Sequence, residues 1–315
     1  MNKKIIIIPA AITVMIVLYG FIPFTQEIPE ENGKIEVFFC PEDNCSMALI
    51  KEIENSSFVK CAFYDLDLKP LINTLKMKKA SVIIDEDNVN EENEIFNVDY
   101  GSGLMHNKFC VFDKGIITGS FNPTENGNYK NNNNMLVIHS QTLKENYLDE
   151  FEELENNEKQ KKTRTTKLSI NGILIENYFC PEDNCEKEVL EELEKAEKSI
   201  YFMVFSFTSK NIGNKLVEKH EKGIEIKGVF EKFSANTQYS EYKKLKQNNI
   251  KVSLDKNPDM MHHKVFIIDN KTVITGSYNP TKSANEKNDE NILIIHSENI
   301  TKEFLKEFEF ILNKA

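Results

Sequence analysis

The chain repeats itself, and this internal repeat constrains its fold more than any other feature of the sequence. Four segments of the first half return in the same order in the second half: 38–45 at 178–185, 105–109 at 261–265, 118–124 at 275–281, and 136–140 at 293–297. Two copies are too few for a solenoid, in which many short units stack in series. We therefore predict two similar lobes that close on each other, at residues 35–160 and 173–315, joined by a polar linker at 161–172.

Each half alternates segments with strand character and segments with helix character. In the second half, residues 199–207 and 225–230 are apolar strand patterns, and a helical pattern at 211–222 lies between them. Such alternation is typical of the α/β class, in which helices flank a mostly parallel or mixed sheet. Residues 142–162, which are rich in Glu, Lys and Leu, predict a helix that closes the first lobe.

An apolar segment precedes the first lobe. Lys3 and Lys4 are followed by a run from Ile5 to Phe24, and about 20 helical residues span the hydrocarbon layer of a bilayer. No small-x-small cleavage site follows this run, so we expect residues 1–26 to be an uncleaved, single-pass membrane anchor. The two lysines orient the rest of the chain to the extracytoplasmic side of the cell membrane. A cleaved signal peptide, which would release a secreted protein, is the alternative.

The charge balance argues against one class of partner. The chain has 50 acidic and 39 basic residues, for a formal net charge of -11. Proteins that hold long nucleic acids neutralise many phosphates with a basic stripe and so release counterions. The sequence contains no such stripe.

A set of side chains suited to phosphate chemistry recurs with the repeat. His262 and Lys264 are two positions apart in a strand pattern, so both side chains lie on one face. Asp269 ends that strand, and Ser277 and Asn279 follow the next one in a Gly-Ser-x-Asn sequence. An imidazole, an ammonium, a hydroxyl and a carboxamide together suit the oxygens of a phosphodiester and a nucleophile or proton carrier. The first half supplies the same set, namely His106, Lys108, Asp113, Ser120 and Asn122.

The pattern His-x-Lys-x4-Asp followed by Gly-Ser-x-Asn, present twice, resembles the HKD motifs of the phospholipase D superfamily. The resemblance covers residues 35–315 and implies a pseudo-twofold α/β fold with one active site between two lobes. It implies hydrolysis of a phosphodiester through a covalent phosphohistidine, with neither a metal nor another cofactor. His106 would then be the nucleophile and His262 the general acid and base. The other implied roles are charge stabilisation by Lys108 and Lys264 and phosphate binding by Ser120, Asn122, Ser277 and Asn279.

The two halves differ in charge where residues 131–134 align with 288–291. In the superfamily that the chain resembles, an acidic residue here hydrogen-bonds the histidine of the opposite lobe. Glu290 would accordingly orient His106 and offset its charge, whereas Asn133 would orient His262 without supplying charge. We predict that this asymmetry decides which histidine attacks.

The aspartates of the motifs and the histidines outside the motifs are weaker candidates for the active site. Asp113 and Asp269 complete the catalytic motifs, but each ends a strand and is predicted to face away from the His–Lys side. The remaining histidines are predicted to lie outside the site; they are His139, His220, His263 and His296.

The cysteines form two local pairs and one distant pair. Because we expect export, Cys40–Cys45 and Cys180–Cys185 are each predicted to close a small disulfide. A zinc site made by these four residues, or free buried thiols, are the alternatives. Cys61 and Cys110 lie in strand patterns and are predicted to be core residues.

The motifs indicate which type of bond is cleaved, a phosphodiester, but they say less about the chemical groups on either side of it. We expect a phospholipid headgroup as substrate, because the anchor holds the site near a bilayer and the acidic surface disfavours polynucleotides. A metal-independent endonuclease is the alternative, since the compact halves look like the small bacterial endonucleases and the mitochondrial cardiolipin hydrolases of the superfamily. A phosphatidyl transferase and a non-catalytic anchored binding protein are further alternatives.

Overall fold

The computed structural model describes residues 27–158 and 161–315 and contains two β-sheets flanked by helices. The strands are, in chain order, β1 (Glu30–Glu31), β2 (Ile35–Cys40), β3 (Val59–Phe63), β4 (Ser81–Asp85), β5 (Asn97–Asp99), β6 (Lys108–Phe112), β7 (Gly115–Gly119), β8 (Asn133–His139), β9 (Lys167–Ile170), β10 (Ile173–Cys180), β11 (Ser199–Val204), β12 (Glu225–Phe230), β13 (Lys251–Leu254), β14 (Lys264–Ile268), β15 (Thr272–Gly276) and β16 (Glu290–His296). The helices are α1 (Cys45–Glu54), α2 (Lys69–Lys78), α3 (Glu125–Tyr129), α4 (Gln141–Asn156), α5 (Cys185–Lys195), α6 (Lys210–Glu221), α7 (Tyr242–Gln247), α8 (Lys282–Glu286) and α9 (Glu298–Lys314).

Each repeat builds one sheet, and both sheets share a strand order. The first sheet has the order β2-β8-β7-β6-β3-β4-β5, and the second has β1-β9-β10-β16-β15-β14-β11-β12-β13. If β1 and β9 are left aside, the strands of the second sheet follow the same order as the corresponding strands of the first sheet. Both sheets are mixed, because β3-β4-β5 and β11-β12-β13 pair in parallel and the other strands of the repeats pair antiparallel. The α/β class with mixed sheets flanked by helices is thus confirmed.

The inner faces of the two sheets share one hydrophobic core with α4 and α9. Along β6, Phe109 and Val111 face this shared core, whereas Cys110 faces the outer helices α1 and α2. The ring of Tyr147 on α4 lies edge-on to Phe109 at 5.0 Å and to Phe179 of the second lobe at 4.9 Å between centroids. Helices α5, α6 and α7 cover the outer face of the second sheet. The continuous core holds the two copies of the motif in one fixed relation.

The predicted linker is not entirely a linker, because β9 lies inside residues 161–172. Leu168 and Ile170 are buried in the shared core and alternate with less buried neighbours, which is the period of a half-buried strand. β9 pairs antiparallel with β10 and parallel with β1, so a segment that precedes the first lobe joins the sheet of the second. The polar composition of this stretch concealed a strand of four residues.

The helix predicted at 142–162 begins at Gln141 and ends earlier than predicted, at Asn156. The Ser140 side chain caps its first turn by accepting a hydrogen bond from the Leu143 N–H at 3.1 Å. Asn157 adopts a left-handed conformation, with φ of 52°, and ends the helix. Asparagine tolerates this conformation better than most residues, so the pattern of charged residues beyond it could not continue the helix.

The structure pairs all six cysteines as disulfides. Cys40–Cys45 and Cys180–Cys185 are the local pairs, and each joins the end of a strand to the start of a helix. Cys61 and Cys110 are buried as core residues, and they lie directly opposite each other on β3 and β6 with their Cα atoms 4.1 Å apart. The third pair was not predicted because it depends on the register of two strands that are distant in sequence.

The predicted anchor lies outside the described residues. Among residues 27–158 and 161–315, no helix combines the length and the apolar character needed to cross a bilayer.

Candidate active site

The two HKD motifs occupy matching positions at the starts of β6 and β14. Lys108 and Lys264 are the first residues of these strands, and the histidines precede them by two positions. The His106 N–H donates to the Asp289 carbonyl at 3.0 Å, and the His262 N–H donates to the Asn132 carbonyl at 2.8 Å. Each histidine therefore enters the site on a segment that is bonded to the opposite lobe.

Glu290 of the second lobe orients His106 of the first. Its Oε2 atom lies 2.8 Å from His106 Nδ1, and both side chains are buried. When Glu290 is ionised it can only accept a hydrogen bond, and in that state we assign the ring proton to Nδ1 and the lone pair to Nε2. The Tyr64 ring packs edge-on against the imidazole, with centroids 4.8 Å apart.

Asn133 of the first lobe orients His262 of the second. His262 Nδ1 lies 2.9 Å from Asn133 Oδ1 and 3.1 Å from the Ser120 carbonyl oxygen. The Asn133 amide group is itself fixed, because its Nδ2 donates to the Gly127 carbonyl at 3.1 Å. Both partners of Nδ1 are acceptors, so this ring has the same tautomer as His106. Phe205 packs against it as Tyr64 packs against His106, at 4.8 Å.

The two lysines of the motifs are buried beside the histidines. Lys108 Nζ donates to the His106 carbonyl at 2.5 Å, and Lys264 Nζ donates to the His262 carbonyl at 2.8 Å. Lys108 Nζ lies 4.9 Å from the centre of the Tyr64 ring, and Lys264 Nζ lies 4.8 Å from that of Phe205. Aromatic faces stabilise cations at such distances, so these rings help to hold ammonium groups at a site where burial disfavours charge.

Burial shifts the protonation of the whole cluster. It lowers the pKa of Lys108 to about 7 and the pKa of Lys264 well below its ordinary range, where the charge of Lys108 adds to the effect. It lowers the pKa of both histidines well below 6.5, and each histidine also feels both lysines. His106 further lowers the pKa of His262, which shows that the groups of the two lobes act as one electrostatic cluster.

Glu290 is the acidic member of this cluster. Its burial raises the pKa of the carboxyl to about 8, and the nearby charges of Lys108 and Lys264 oppose this rise. The corresponding position in the first lobe, Asn133, has no charge. The asymmetry predicted from the aligned segments is therefore present in the contacts of the two histidines.

A glycine in each lobe allows the Gly-Ser-x-Asn loop to approach the opposing strand. Gly119 has φ of 147°, and a Cβ atom there would clash with the Asn134 carbonyl oxygen. The close approach lets the Ser120 N–H donate to that oxygen at 3.0 Å, and the Ser120 hydroxyl accepts from the Asn134 N–H at 3.0 Å. The second lobe repeats this geometry with Gly276, Ser277 and Asn291.

The carboxamides of these loops keep hydrogen-bonding capacity. Within the described part of the chain, Asn122 Oδ1 and Asn279 Oδ1 are buried and have no hydrogen-bond partner. Buried polar atoms are normally satisfied, so these two amides are suited to contact a polar substrate.

Asp113 and Asp269 do not belong to the site, although both are part of the catalytic motifs. Each carboxylate lies at the far end of its strand and accepts hydrogen bonds from backbone N–H groups. Asp113 accepts from Ser57 at 2.8 Å and Phe58 at 3.0 Å, and these bonds lower its pKa. Asp269 accepts from the N–H groups of residues 197–199 at 2.7 to 2.8 Å. The two carboxylates thus connect the β6–β7 and β14–β15 hairpins to the starts of β3 and β11. This is the structural role that their positions at the ends of strands indicated.

Several residues that support the site were missed. Tyr64 and Phe205 each follow a central strand, and alignment of the repeats around these strands would have paired them. Asn134 and Asn291 follow the two orienting residues and face the other way. The sequence could have indicated them, because successive side chains of a strand point to opposite faces, and the residue after each orienting residue therefore faces away from it.

One group of side chains outside the motifs has the composition of a metal site. Among the described residues, the ligand atoms of Glu176, Glu192 and His296 lie within 4.8 Å of one another. Lys167 Nζ contacts Glu176 at 3.0 Å, and Lys195 forms an ion pair with Glu192. The lysines already balance the two carboxylates, so this group is explained as a buried ion-pair network.

Comparison with known proteins places these features in a family. The family model described as "Cardiolipin synthase, PLD-like domain" matches residues 53–155 and 189–312, which together are well over half of the chain. A phospholipase D of Rickettsia typhi is 33% identical over 132 residues, which cover 42% of this chain and 65% of the relative. The human mitochondrial cardiolipin hydrolase is 33% identical over 123 residues, which cover 39% of this chain and 49% of the relative.

A solved structure shares the fold of nearly the whole molecule. The phosphatidylserine synthase of Haemophilus influenzae superposes with a TM-score of 0.67, at 12% sequence identity, over 89% of this chain and 85% of its own. Both copies of the family model coincide with the two lobes that carry the HKD motifs. The chain therefore belongs to the PLD-like domain family of the phospholipase D superfamily.

Proposed function

We propose that the protein is a phosphodiesterase that hydrolyses its substrate through a covalent phosphohistidine at His106. One observation carries the proposal. Two histidines from different lobes each donate Nδ1–H across the lobe boundary, which leaves Nε2 of each for chemistry, and two buried lysines accompany them. A nucleophile, a proton carrier and cations at one buried site are the parts that phosphoryl transfer requires.

The reaction follows in two steps. In the first, His106 Nε2 attacks phosphorus, the bond between phosphorus and the leaving oxygen breaks, and protonated His262 gives its Nε2 proton to that oxygen. In the second, His262 takes a proton from water as the water oxygen attacks phosphorus. The phosphorus–nitrogen bond then breaks, and its electron pair returns to His106.

The charged groups fit these steps. Lys108 and Lys264 stabilise the charge that develops on the non-bridging phosphoryl oxygens. Because burial disfavours the charged form of both lysines, an anionic diester, which favours that form, is a suitable ligand for them. Glu290 offsets the positive charge of the phosphorylated ring of His106. Burial and the two lysines lower the pKa of His262, and the negative charge of the bound diester opposes this shift and favours the protonated form that the first step uses.

Phospholipid is the substrate class that we propose. The relatives are named phospholipase D and mitochondrial cardiolipin hydrolase, and the chain spans about 65% or less of the length of these two. The apolar run at residues 5–24 would hold the site at the extracytoplasmic face of a membrane. The net charge of -11 disfavours long polynucleotides as competitors.

The test compares the full-length protein with His106→Ala and His262→Ala on two substrates. The protein, in detergent or reconstituted, is incubated with phospholipid vesicles and separately with single-stranded nucleic acid, each in the presence of a chelator. We expect headgroup release by the wild type, its loss in both variants, and a phosphohistidine on His106 after rapid quenching. An added alcohol that becomes esterified would identify a transferase instead.

The other outcomes are decisive as well. Cleavage of nucleic acid alone would assign the site to an endonuclease and overturn the lipid substrate. No turnover of either substrate and no trapped adduct would leave a non-catalytic binding protein. An adduct on His262 would reverse the roles of the two histidines.

The membrane location is a separate proposal. We propose that the run at residues 5–24 remains attached and spans the membrane once. Resistance of the full-length chain to carbonate extraction, together with digestion of its folded part by protease added outside intact cells, is the expected result. Recovery of the protein in the medium without residues 1–26 would show a cleaved signal peptide and a secreted enzyme.

A further inference from the structure

Two buried asparagines contact the opposite lobe on the face of their strands that points away from the two histidines of the motifs. Asn291 directly follows Glu290, and Asn134 directly follows Asn133. Successive side chains of a strand point to opposite faces, so the orienting residue faces the histidine that it contacts and the asparagine faces the shared core. Both asparagines are fully buried, and their side-chain partners across the boundary lie next to the catalytic histidines.

The side-chain hydrogen bonds of Asn291 in the second lobe all go to the first lobe. Its Oδ1 accepts from the Thr118 hydroxyl at 2.8 Å and from the Tyr147 hydroxyl at 3.2 Å. Its Nδ2 donates to Asn107 Oδ1 at 2.7 Å. Asn107 stands between His106 and Lys108, and its own Nδ2 donates to Glu150 at 2.8 Å.

Asn134 of the first lobe is held in the same way by the second lobe. Its Oδ1 accepts from the Thr275 hydroxyl at 2.8 Å, which directs Nδ2 toward His263 Nδ1 at 3.0 Å. His263 Nδ1 is therefore an acceptor, and its Nε2–H donates to Glu307 at 3.2 Å. His263 stands between His262 and Lys264 in the sequence, and its side chain contacts Asn134 and Glu307.

We propose that these two contacts, Asn291–Asn107 and Asn134–His263, are positioning clamps, each of which controls the half-reaction of the histidine beside it. This inference rests on the proposed function. We call Asn291–Asn107 the first clamp and Asn134–His263 the second clamp. Neither clamp touches the substrate; each acts through its neighbouring catalytic histidine.

The physical basis is that hydrogen bonds on both faces of one strand fix the segment that carries the histidine. Glu290 contacts His106 on one face of the strand, and Asn291 contacts Asn107 on the other, so two adjacent residues of one strand bind two adjacent residues of the other lobe. The backbone bond from His106 N–H to the carbonyl of Asp289, which precedes Glu290, joins the same two segments. Removing the core-side contact leaves the imidazole able to shift, and a misplacement of about 1 Å can cost about 100-fold in rate.

The two clamps can be separated by a substrate whose leaving group needs no proton. With bis(p-nitrophenyl) phosphate, p-nitrophenolate leaves without help from His262, so adduct formation depends on the position of His106. Hydrolysis of the adduct still requires His262 to accept a proton from water. The first clamp should therefore control adduct formation, and the second should control adduct hydrolysis.

The experiment follows p-nitrophenolate release by stopped flow in the full-length protein and measures phosphohistidine after alkaline quenching. For Asn107→Ala we expect the first phase to slow by about 10- to 100-fold, with no accumulation of adduct. For His263→Ala we expect a rapid stoichiometric burst, accumulation of adduct on His106, and steady-state turnover slower by about 10- to 100-fold. His263→Asn should restore turnover, because the first lobe already uses an asparagine at this position.

A matched control is present on the same strand as Asn291. His296 Nδ1 forms a hydrogen bond with the Thr272 hydroxyl at 3.0 Å, and His296 Nε2 forms one with Glu176 at 3.1 Å. Like His263, this histidine therefore uses both ring nitrogens, one of them with a glutamate. It lies at the end of β16 opposite to Glu290. His296→Ala should lower thermal stability and leave both phases unchanged. If the alanine variants of the clamps fail to fold, Thr118→Val and Thr275→Val weaken the same clamps with little change in side-chain shape.

The results distinguish the clamp from the function on which it rests. Equal slowing of both phases in both clamp variants, or slowing no greater than in His296→Ala, would show a structural role only and overturn the proposal. If the wild type forms no adduct and releases no p-nitrophenolate, the proposed function fails first. If the wild type forms the adduct and both clamp variants keep its burst rate and its steady-state rate unchanged, the clamps alone are overturned.

Discussion

Replacing Glu290 by glutamine removes one charge at the hydrogen bond that orients the proposed nucleophile. The bond to His106 Nδ1 is 2.8 Å long, and Glu290 is completely buried. A hydrogen bond to a charged group contributes about 1.5 to 3 kcal/mol, which corresponds to about 10- to 150-fold in rate. A glutamine can also turn its N–H toward Nδ1 and so place the ring proton on Nε2. Such reversal of a tautomer has cost about 10⁴-fold in the serine protease triad.

We therefore expect adduct formation to slow by about 10²- to 10⁴-fold in Glu290→Gln. The assay is single-turnover release of p-nitrophenolate between pH 6 and 9, with the adduct located by mass spectrometry. The wild-type rate should rise with pH through about 8, because only the ionised form of Glu290 carries the negative charge that stabilises the positive ring of His106. The glutamine variant should lack this rise.

The same substitution has a stability consequence of known sign. Because the folded-state pKa of Glu290 is about 8 and its ordinary value is 4.5, the folded protein holds a proton that the unfolded chain has lost between these values. Its burial therefore destabilises the fold increasingly as pH rises from 4.5 to about 8. Glu290→Gln should be more stable than wild type at pH 8, by an amount on the order of a few kcal/mol.

Glu176→Gln is the matched control for Glu290→Gln. Glu176 is also buried and hydrogen-bonded to a histidine, His296, at 3.1 Å, but it lies outside the site. It should leave adduct formation unchanged. An unchanged rate in Glu290→Gln, or an adduct that forms on His262 in the wild type, would refute the assignment of Glu290 as the group that orients the nucleophile.

Three further predictions concern the other members of the motifs and the core. Lys108→Met should abolish turnover and stabilise the fold by an amount on the order of a few kcal/mol below pH 7. This gain in stability should shrink as pH rises from about 7 toward 10.5, because only the unfolded chain then holds the lysine proton. Calorimetry across this pH range checks the prediction. Asp269→Asn should cost about 1 to 3 kcal/mol of stability in denaturant titrations and leave kcat of the folded enzyme unchanged; a loss of kcat at full folding would return Asp269 to the catalytic set. The double variant Cys61→Val and Cys110→Val should lose up to about 4 kcal/mol of stability, since the disulfide closes a loop with a separation of 49 residues; equal stability of wild type with and without reductant would contradict that pairing.

Much of the architecture could be predicted because it is carried by contiguous residues. The repeat indicated two lobes, and the alternation of apolar segments indicated α/β layers. His106 and Lys108 were paired by a spacing of two in a strand. The cross-lobe role of Glu290 followed from the aligned repeats together with the family that they resemble.

Other features depend on residues that meet only after the sheets have packed. β9 was concealed by a polar stretch, because a four-residue strand has too few apolar positions to show a period. Cys61 and Cys110 are neighbours only through the register of β3 and β6. His263 carried no signal of its own, since its role depends on an asparagine 129 positions away.

The amino-acid sequence by itself determined the two lobes, the reactive side chains and their spacing, because period and spacing are local properties of the chain. Only the tertiary structure decided which side chains of one lobe meet those of the other. Such contacts are selected by the joint packing of a shared core, in which the burial of many apolar groups sets a register that no single segment encodes.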